Sequence, residues 1–155
     1  MTRNPPITSN PFLLAEFVPF RLNRLADAVS QDLSEIYRDR FGLDIPEWRV
    51  LVTVGQRRGC NAQHVAASTR MHKTRVSRAV ASLGKRRLVE RVSCAEDGRE
   101  LRLRLTKAGL GVYEVLVPLA LERERALLAK MSAVNSQGFI AALSQLEDAL
   151  KLNGE

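Results

Sequence analysis

Residues 61–85 read NAQHVAASTRMHKTRVSRAVASLGK, and the way this stretch divides decides the fold. Asn61 suits the N-cap of a short helix, AQHVAAS, because its side-chain carbonyl can accept a first-turn N–H that would otherwise lack a partner. The link TRM leaves room only for a tight turn, and a second helix follows from about His72 to Lys85. Projected at about 100° per residue, His72, Val76, Ala79, Val80 and Leu83 gather on one face, the expected buried side. Thr74, Ser77, Arg78, Ala81 and Lys85 lie opposite, with Lys73 and Arg75 toward the flanks. Short helix, tight turn and second helix form the helix-turn-helix layout.

Downstream, LVERVSC (88–94) and ELRLRLT (100–106) are strand-like and joined through AEDG. The second alternates, with Leu101, Leu103 and Leu105 on one face and Arg102 and Arg104 on the other. Asp97-Gly98 fits the centre of a type I′ turn, so the pair reads as a basic hairpin, a wing appended to the helix-turn-helix.

Upstream, residues 11 to about 40 read as a helix carrying Val18, Leu22, Leu25, Val29, Leu33 and Ile36, its regular part beginning near Pro19 and stopping at Gly42. Pro46 stands at a first helical position of IPEWRVLVTVGQ. Thr106 is a candidate N-cap for a long helix in which Pro118 is expected to introduce a kink or interruption. A last helix, from about Ser136 to Leu150, shows Phe139, Ile140, Leu143, Leu146 and Leu150. The expected fold is mostly α with a small β-hairpin wing. Residues 1–10 are a loose tail and 11–155 a single domain. Within it, 45–105 form the winged helix-turn-helix lobe, and the apolar helices of 11–44 and 106–155 form a region built to pair.

The chain has 155 residues and a net charge of +7. Its apolar runs are far shorter than the roughly 18–20 residues of a membrane span, and its start lacks the apolar core of a signal peptide, so a soluble, cytoplasmic protein is expected. Cys60 and Cys94 form no C-x-x-C pair, and with only His64 and His72 there is poor material for a metal site. No nucleophile elbow, glycine-rich dinucleotide turn or phosphate loop occurs. The expectation is neither an enzyme nor a cofactor protein.

The charge is distributed unevenly. Residues 70–104 hold eleven Lys or Arg and four acids, whereas the remainder holds thirteen of each. A block of this kind is the footprint expected for nucleic acid or an anionic surface. Taken alone, the cations of 72–85 are equally a solvated helix face. A membrane-surface helix would need Trp, Phe or Leu on its exposed side, which this one lacks. The turn before it, the hairpin after it and the confinement of charge favour DNA. Arg75 or Arg78 would then bond guanine edges in the major groove, while Thr74 and Ser77 reach bases or phosphates.

HKTRVSRAVASL, then LVER, then Asp97-x-Arg99 leading to LTKAG at 105–109, with Pro118 and the final FIAALSQLEDAL, resemble the MarR family of winged-helix regulators over nearly the whole chain. The resemblance implies a homodimer held by the N- and C-terminal helices, which binds a pseudo-palindromic operator in double-stranded DNA and acts as a repressor. It implies that His72, Lys73, Thr74, Arg75, Ser77 and Arg78 enter the major groove and that Arg99 reaches the minor groove. Asn61 joins these DNA-binding candidates, and Asp97 braces the wing. In one departure, Arg87 stands where the family usually has Gly, so the turn must avoid a positive φ or tolerate strain.

The resemblance further implies release by a small aromatic or phenolic effector, as in members that govern aromatic compound breakdown. Phe17, Phe20 and Trp48 would wall its crevice, and Arg21 or Arg24 would pair its carboxylate. FGLDIPEWRVL is also similar to members of the hydroxycinnamate type, which sense an acyl-CoA thioester. Two other readings stay open. One is redox sensing through Cys60 or Cys94, since Arg57 and Arg58 stand close enough to lower the pKa of Cys60. The other is architectural DNA binding without sequence preference.

Overall fold

Proline, glycine and short polar side chains set the helix boundaries of this chain. The computed structural model describes residues 12–93 and 101–152. After a 3-10 turn at Leu14–Glu16 come α1 (Val18–Phe41), α2 (Ile45–Gln56), α3 (Ala62–Thr69) and α4 (Lys73–Lys85). The strands β1 (Val89–Ser93) and β2 (Leu101–Leu105) precede α5 (Lys107–Leu128) and α6 (Ala133–Ala149). Gly42 ends α1 at φ 59°, a left-handed conformation that costs glycine nothing. Asp44 and Glu47 open α2 with a reciprocal capping box, each carboxylate accepting the other's N–H at 2.8 and 2.9 Å. Asn61 caps α3 through the His64 N–H at 2.8 Å, and Thr106 caps α5 through the Gly109 N–H at 3.0 Å. Ser132 caps α6 in the same way, so α6 starts three residues earlier than its apolar pattern suggested.

β1 and β2 pair antiparallel, from Val89 opposite Leu105 to Ser93 opposite Leu101. Cys60 adds a single bridge on the far side of β2, exchanging both backbone bonds with Leu103 at 2.7 and 3.1 Å. The wing root is thereby pinned to the α2–α3 link. Tyr37 of α1, Val50 and Leu51 of α2, Val65 of α3, Leu83 of α4, Leu103 of β2 and Leu116 of α5 are all buried in one core. The helices before and after the lobe therefore share its interior. Arg123 of α5 pairs Asp32 and Glu35 of α1 at 3.5 and 3.3 Å, fastening those two helices on the outside.

Residues 14–16 make a separate 3-10 turn and α1 begins at Val18 with Pro19 in its first turn, as the regular stretch from near Pro19 anticipated. Three expectations change. In the α1 stripe, Leu33 and Ile36 pack on the core while Val18, Leu22 and Leu25 are exposed. In β2, Leu103 is buried but Leu101 lies beyond the edge of the core, 51% exposed. Pro118 does not interrupt α5, which is assigned as one helix through it. Proline withdraws the single N–H that would reach the Glu114 carbonyl, and Glu114 is exposed, so water can take that acceptor. No helix among the described residues is long and apolar enough to cross a membrane.

Candidate nucleic-acid interface

The regular part of α4 divides as its periodicity requires. Val76, Ala79, Val80 and Leu83 are buried, whereas Lys73, Thr74, Arg75, Ser77, Arg78, Ala81 and Lys85 are exposed. His72 departs from the expected buried stripe. It is the N-cap, with extended backbone, and its exposed ring accepts the Thr74 N–H at Nδ1 over 3.3 Å. A residue outside the first helical turn does not follow the 3.6 period that assigned it. The helix contains no acid, and among the described residues Lys73, Arg75 and Arg78 have no ion pair.

Two clefts flank this face. One, of about 620 Å³, runs between the start of α2 and α4; its α4 wall includes Thr74, Arg75, Arg78 and Ser82, and Asp44 and Glu47 stand opposite. The other, of about 240 Å³, has Val76 and Val80 at its floor and Gln63, Lys73, Ser77 and Arg91 around it. Neither Gln63 nor Arg91, the last residue of LVER, is among the DNA-binding candidates of the sequence, and only the packing of α3 and β1 beside α4 brings them to Lys73. The predicted DNA-binding residues His72, Lys73, Thr74, Arg75, Ser77 and Arg78 are thus gathered on one surface. Asn61 is partly buried, its side chain committed to the α3 cap. Arg99, Asp97 and Cys94 lie outside the described residues.

Not every cation in the basic window is presented to solvent alone. Arg104 pairs Glu90 across the hairpin at 2.8 Å, the two standing opposite in the strand register. Arg86 donates to the carbonyls of Phe41 and Gly42 at the end of α1. Arg87 resolves the alternative posed by its sequence: it adopts φ 56°. Its N–H reaches the Gly84 carbonyl at 2.9 Å and the Leu88 N–H reaches Leu83 at 2.9 Å, a helix-ending pattern that ordinarily uses glycine.

The predicted effector residues are spread over two places. Arg21 and Arg24 line a cleft of about 700 Å³ with Val18, Leu22, Leu25 and Phe139, between α1 and α6. Phe20 lies beneath the Arg24 guanidinium, 5.7 Å from ring centroid to Cζ, and Phe17 packs edge-on against Phe12. Trp48 is elsewhere, stacked on buried Tyr37 with ring centroids 5.2 Å apart, as part of the core packing. Cys60 also differs from expectation. Burial pushes its thiol up, outweighing the downward pull of Arg57 and Arg102, so it is a protonated core side chain at neutral pH rather than an activated thiolate.

Residues 41–100 match the model of the MarR family. Comparison with curated proteins gives no match. Among solved structures, a MarR/EmrR family transcriptional regulator from Acinetobacter sp. ADP1 is similar at TM-score 0.80 and 26% identity, covering 90% of this chain and 99% of that one. The MarR family regulator SPO1453 from Silicibacter pomeroyi is similar at TM-score 0.79 and 27% identity, with the same coverage. BpsR of Bordetella bronchiseptica, whose DNA binding is regulated by 6-hydroxynicotinic acid, shares the fold at TM-score 0.78 and 19% identity, again over 90% and 99%. Residues 41–100, from the end of α1 into the wing, thus carry a MarR-family domain, and the chain shares the winged-helix fold of MarR-family transcription regulators over nine-tenths of its length.

Proposed function

We propose that this regulator is a ligand-responsive repressor that binds a pseudo-palindromic operator as a homodimer and leaves it on binding a small aromatic acid. The observation that carries the reading is the outward face of α4: Lys73, Thr74, Arg75, Ser77 and Arg78 exposed on a helix without an acid, held by a buried apolar stripe. Seated in a major groove, Arg75 and Arg78 bond guanine edges, and Thr74 and Ser77 reach bases or backbone. Arg99 reaches the neighbouring minor groove from the wing, and Asp97 braces it. Residues 45–105 serve as the DNA-binding lobe, residues 11–44 and 106–155 as the pairing region.

The dimer rests on α6. None of its 17 residues is buried, and Phe139, Ile140, Leu143 and Leu146 are exposed, Phe139 in one cleft with Leu22 and Leu25 of α1. A lone helix of that length is marginal in water. A second copy covers both faces and sets two α4 helices on one side of the duplex, with half-sites ~10 bp or a multiple apart. For the effector, the α1–α6 cleft offers Arg21 and Arg24 to a carboxylate and Val18, Leu22, Leu25 and Phe139 to a ring. Two guanidinium groups match one carboxylate better than the several phosphates of a CoA thioester. The aromatic acid that regulates BpsR is of this chemical kind.

A mobility-shift titration with duplexes from the gene's own upstream region tests the reading. A site bound ~10³-fold tighter than random DNA is expected, and parity with competitor would sink it. Arg78→Ala should cost about 1–3 kcal/mol at the specific site and little on random DNA. Hydroxylated aromatic carboxylates should release the operator from the unmodified protein and not from Arg21→Ala,Arg24→Ala.

A further inference from the structure

Two polar side chains at the end of α4, Ser82 and the C-cap Arg86, are bonded to the joint between α1 and α2. The Ser82 hydroxyl donates to Glu47 Oε1 across 35 positions of sequence. Glu47 is a buried acid, 7% exposed, whose other oxygen accepts the Asp44 N–H at 2.9 Å. One turn beyond Ser82, the Arg86 guanidinium donates to the Gly42 carbonyl at 3.2 Å and to the Phe41 carbonyl. These acceptors end α1, where a helix leaves carbonyls unpaired and favours a cation. Arg78, Ser82 and Arg86 follow one another at steps of four, so they form one stripe along α4. The stripe presents Arg78 at one end and is tied at the other to residues 41–47, the joint between α1 and α2.

We propose that the Glu47–Ser82 bond and the Arg86 bonds to Phe41 and Gly42 form a two-point latch that fixes the roll of α4 about its axis, making Glu47, Ser82 and Arg86 positioning residues for DNA reading. This rests on α4 being the reading helix. The buried stripe of Val76, Ala79, Val80 and Leu83 secures α4 to the lobe, but apolar burial is non-directional and tolerates small rotations. Hydrogen bonds do not tolerate them, because they weaken steeply as the angle departs from linear. At the far end of α1 lie Arg21 and Arg24, so a displacement of α1 against α2 reaches α4 through the same joint.

The test uses the full chain, a duplex selected by it from a random library, and a scrambled duplex of the same composition. Ser82→Ala and Arg86→Ala should each lower affinity for the selected duplex about tenfold, since a reading group must be held closely in place. Both should leave affinity for the scrambled duplex, and its salt dependence, unchanged. Arg86→Lys, able to reach one carbonyl, should recover part of the preference. If Arg86 instead held a phosphate, Arg86→Ala would weaken both duplexes, its salt slope would fall by about 1, and Ser82→Ala would do nothing; that result overturns the latch. Leu116→Ala, which opens the core in α5, serves as the control for general loosening: it should keep the preference at an equal loss of melting temperature, and its failure to do so also overturns the latch. Preference that survives both α4 substitutions sinks the latch alone. No preference by the unmodified protein sinks the regulator reading, and the latch with it.

Discussion

Arg87 holds a backbone conformation that glycine would hold at lower cost. Its φ of 56° lies in the left-handed region, as do Arg58 at 54°, Arg70 at 52° and Lys151 at 54°. For a residue with a Cβ this costs roughly 1–2 kcal/mol, partly offset because glycine loses more entropy on folding. Arg87→Gly should therefore stabilise the fold by about 0.5–1 kcal/mol, raising the melting temperature by roughly 1–4 °C. The Thr106 hydroxyl bond to the Arg87 carbonyl, 2.6 Å, belongs to the backbone and should survive the change. Nothing in the structure explains why all four of these positions are cationic. The residue scale is also where the sequence was hardest to read. Glu47 looks like an ordinary solvated acid, yet it is buried because Ser82, far along the chain, supplies its second partner. Arg86 looks like one more cation of the basic block, yet its acceptors stand at the end of α1. Local spacing carries no information about partners that only the tertiary fold brings near.

At the scale of the element, α4 was legible because its buried face repeats without a break, and the caps of α3 and α5 were legible because their chemistry is local. β2 was legible only in part: alternation assigns Leu101, Leu103 and Leu105 to one face, but the core ends between Leu103 and Leu101. The one-residue strand at Cys60 left no trace, since a single bridge has no period. The start of α5 shows how tightly the elements meet. A Cβ at Gly109 would sit 1.9 Å from the Leu88 carbonyl oxygen, on the backbone that leads into β1. Gly109→Ala must therefore push α5 away from the strand or unseat the Thr106 cap. A loss of about 2–3 kcal/mol is expected in chemical denaturation, the upper range for an overpacked site. A tolerated alanine would mean that this joint is looser than its geometry.

For the whole molecule, the proposed homodimer is the reading most open to measurement. Ile140→Glu with Leu143→Glu places charges in the exposed apolar surface of α6. Each buried aliphatic side chain is worth about 1.5–3 kcal/mol, and two-fold symmetry counts every loss twice. Sedimentation should shift from dimer to monomer at micromolar concentration, and the specific complex should weaken with it. A variant that stays dimeric would move the interface elsewhere. The mostly helical fold with its two-stranded hairpin was legible at this scale, because helical apolar periods run along the chain and only residues 101–105 alternate strictly. Lys73, Arg75 and Arg78, which have no ion pair among the described residues, have a consequence for kinetics as well as for affinity in the proposed role. Charge gathered on one side orients an approaching molecule before contact, so encounter quickens at low ionic strength toward ~10⁸ M⁻¹s⁻¹. In the proposed role, the same few side chains would thus also set how soon a vacant operator is found again.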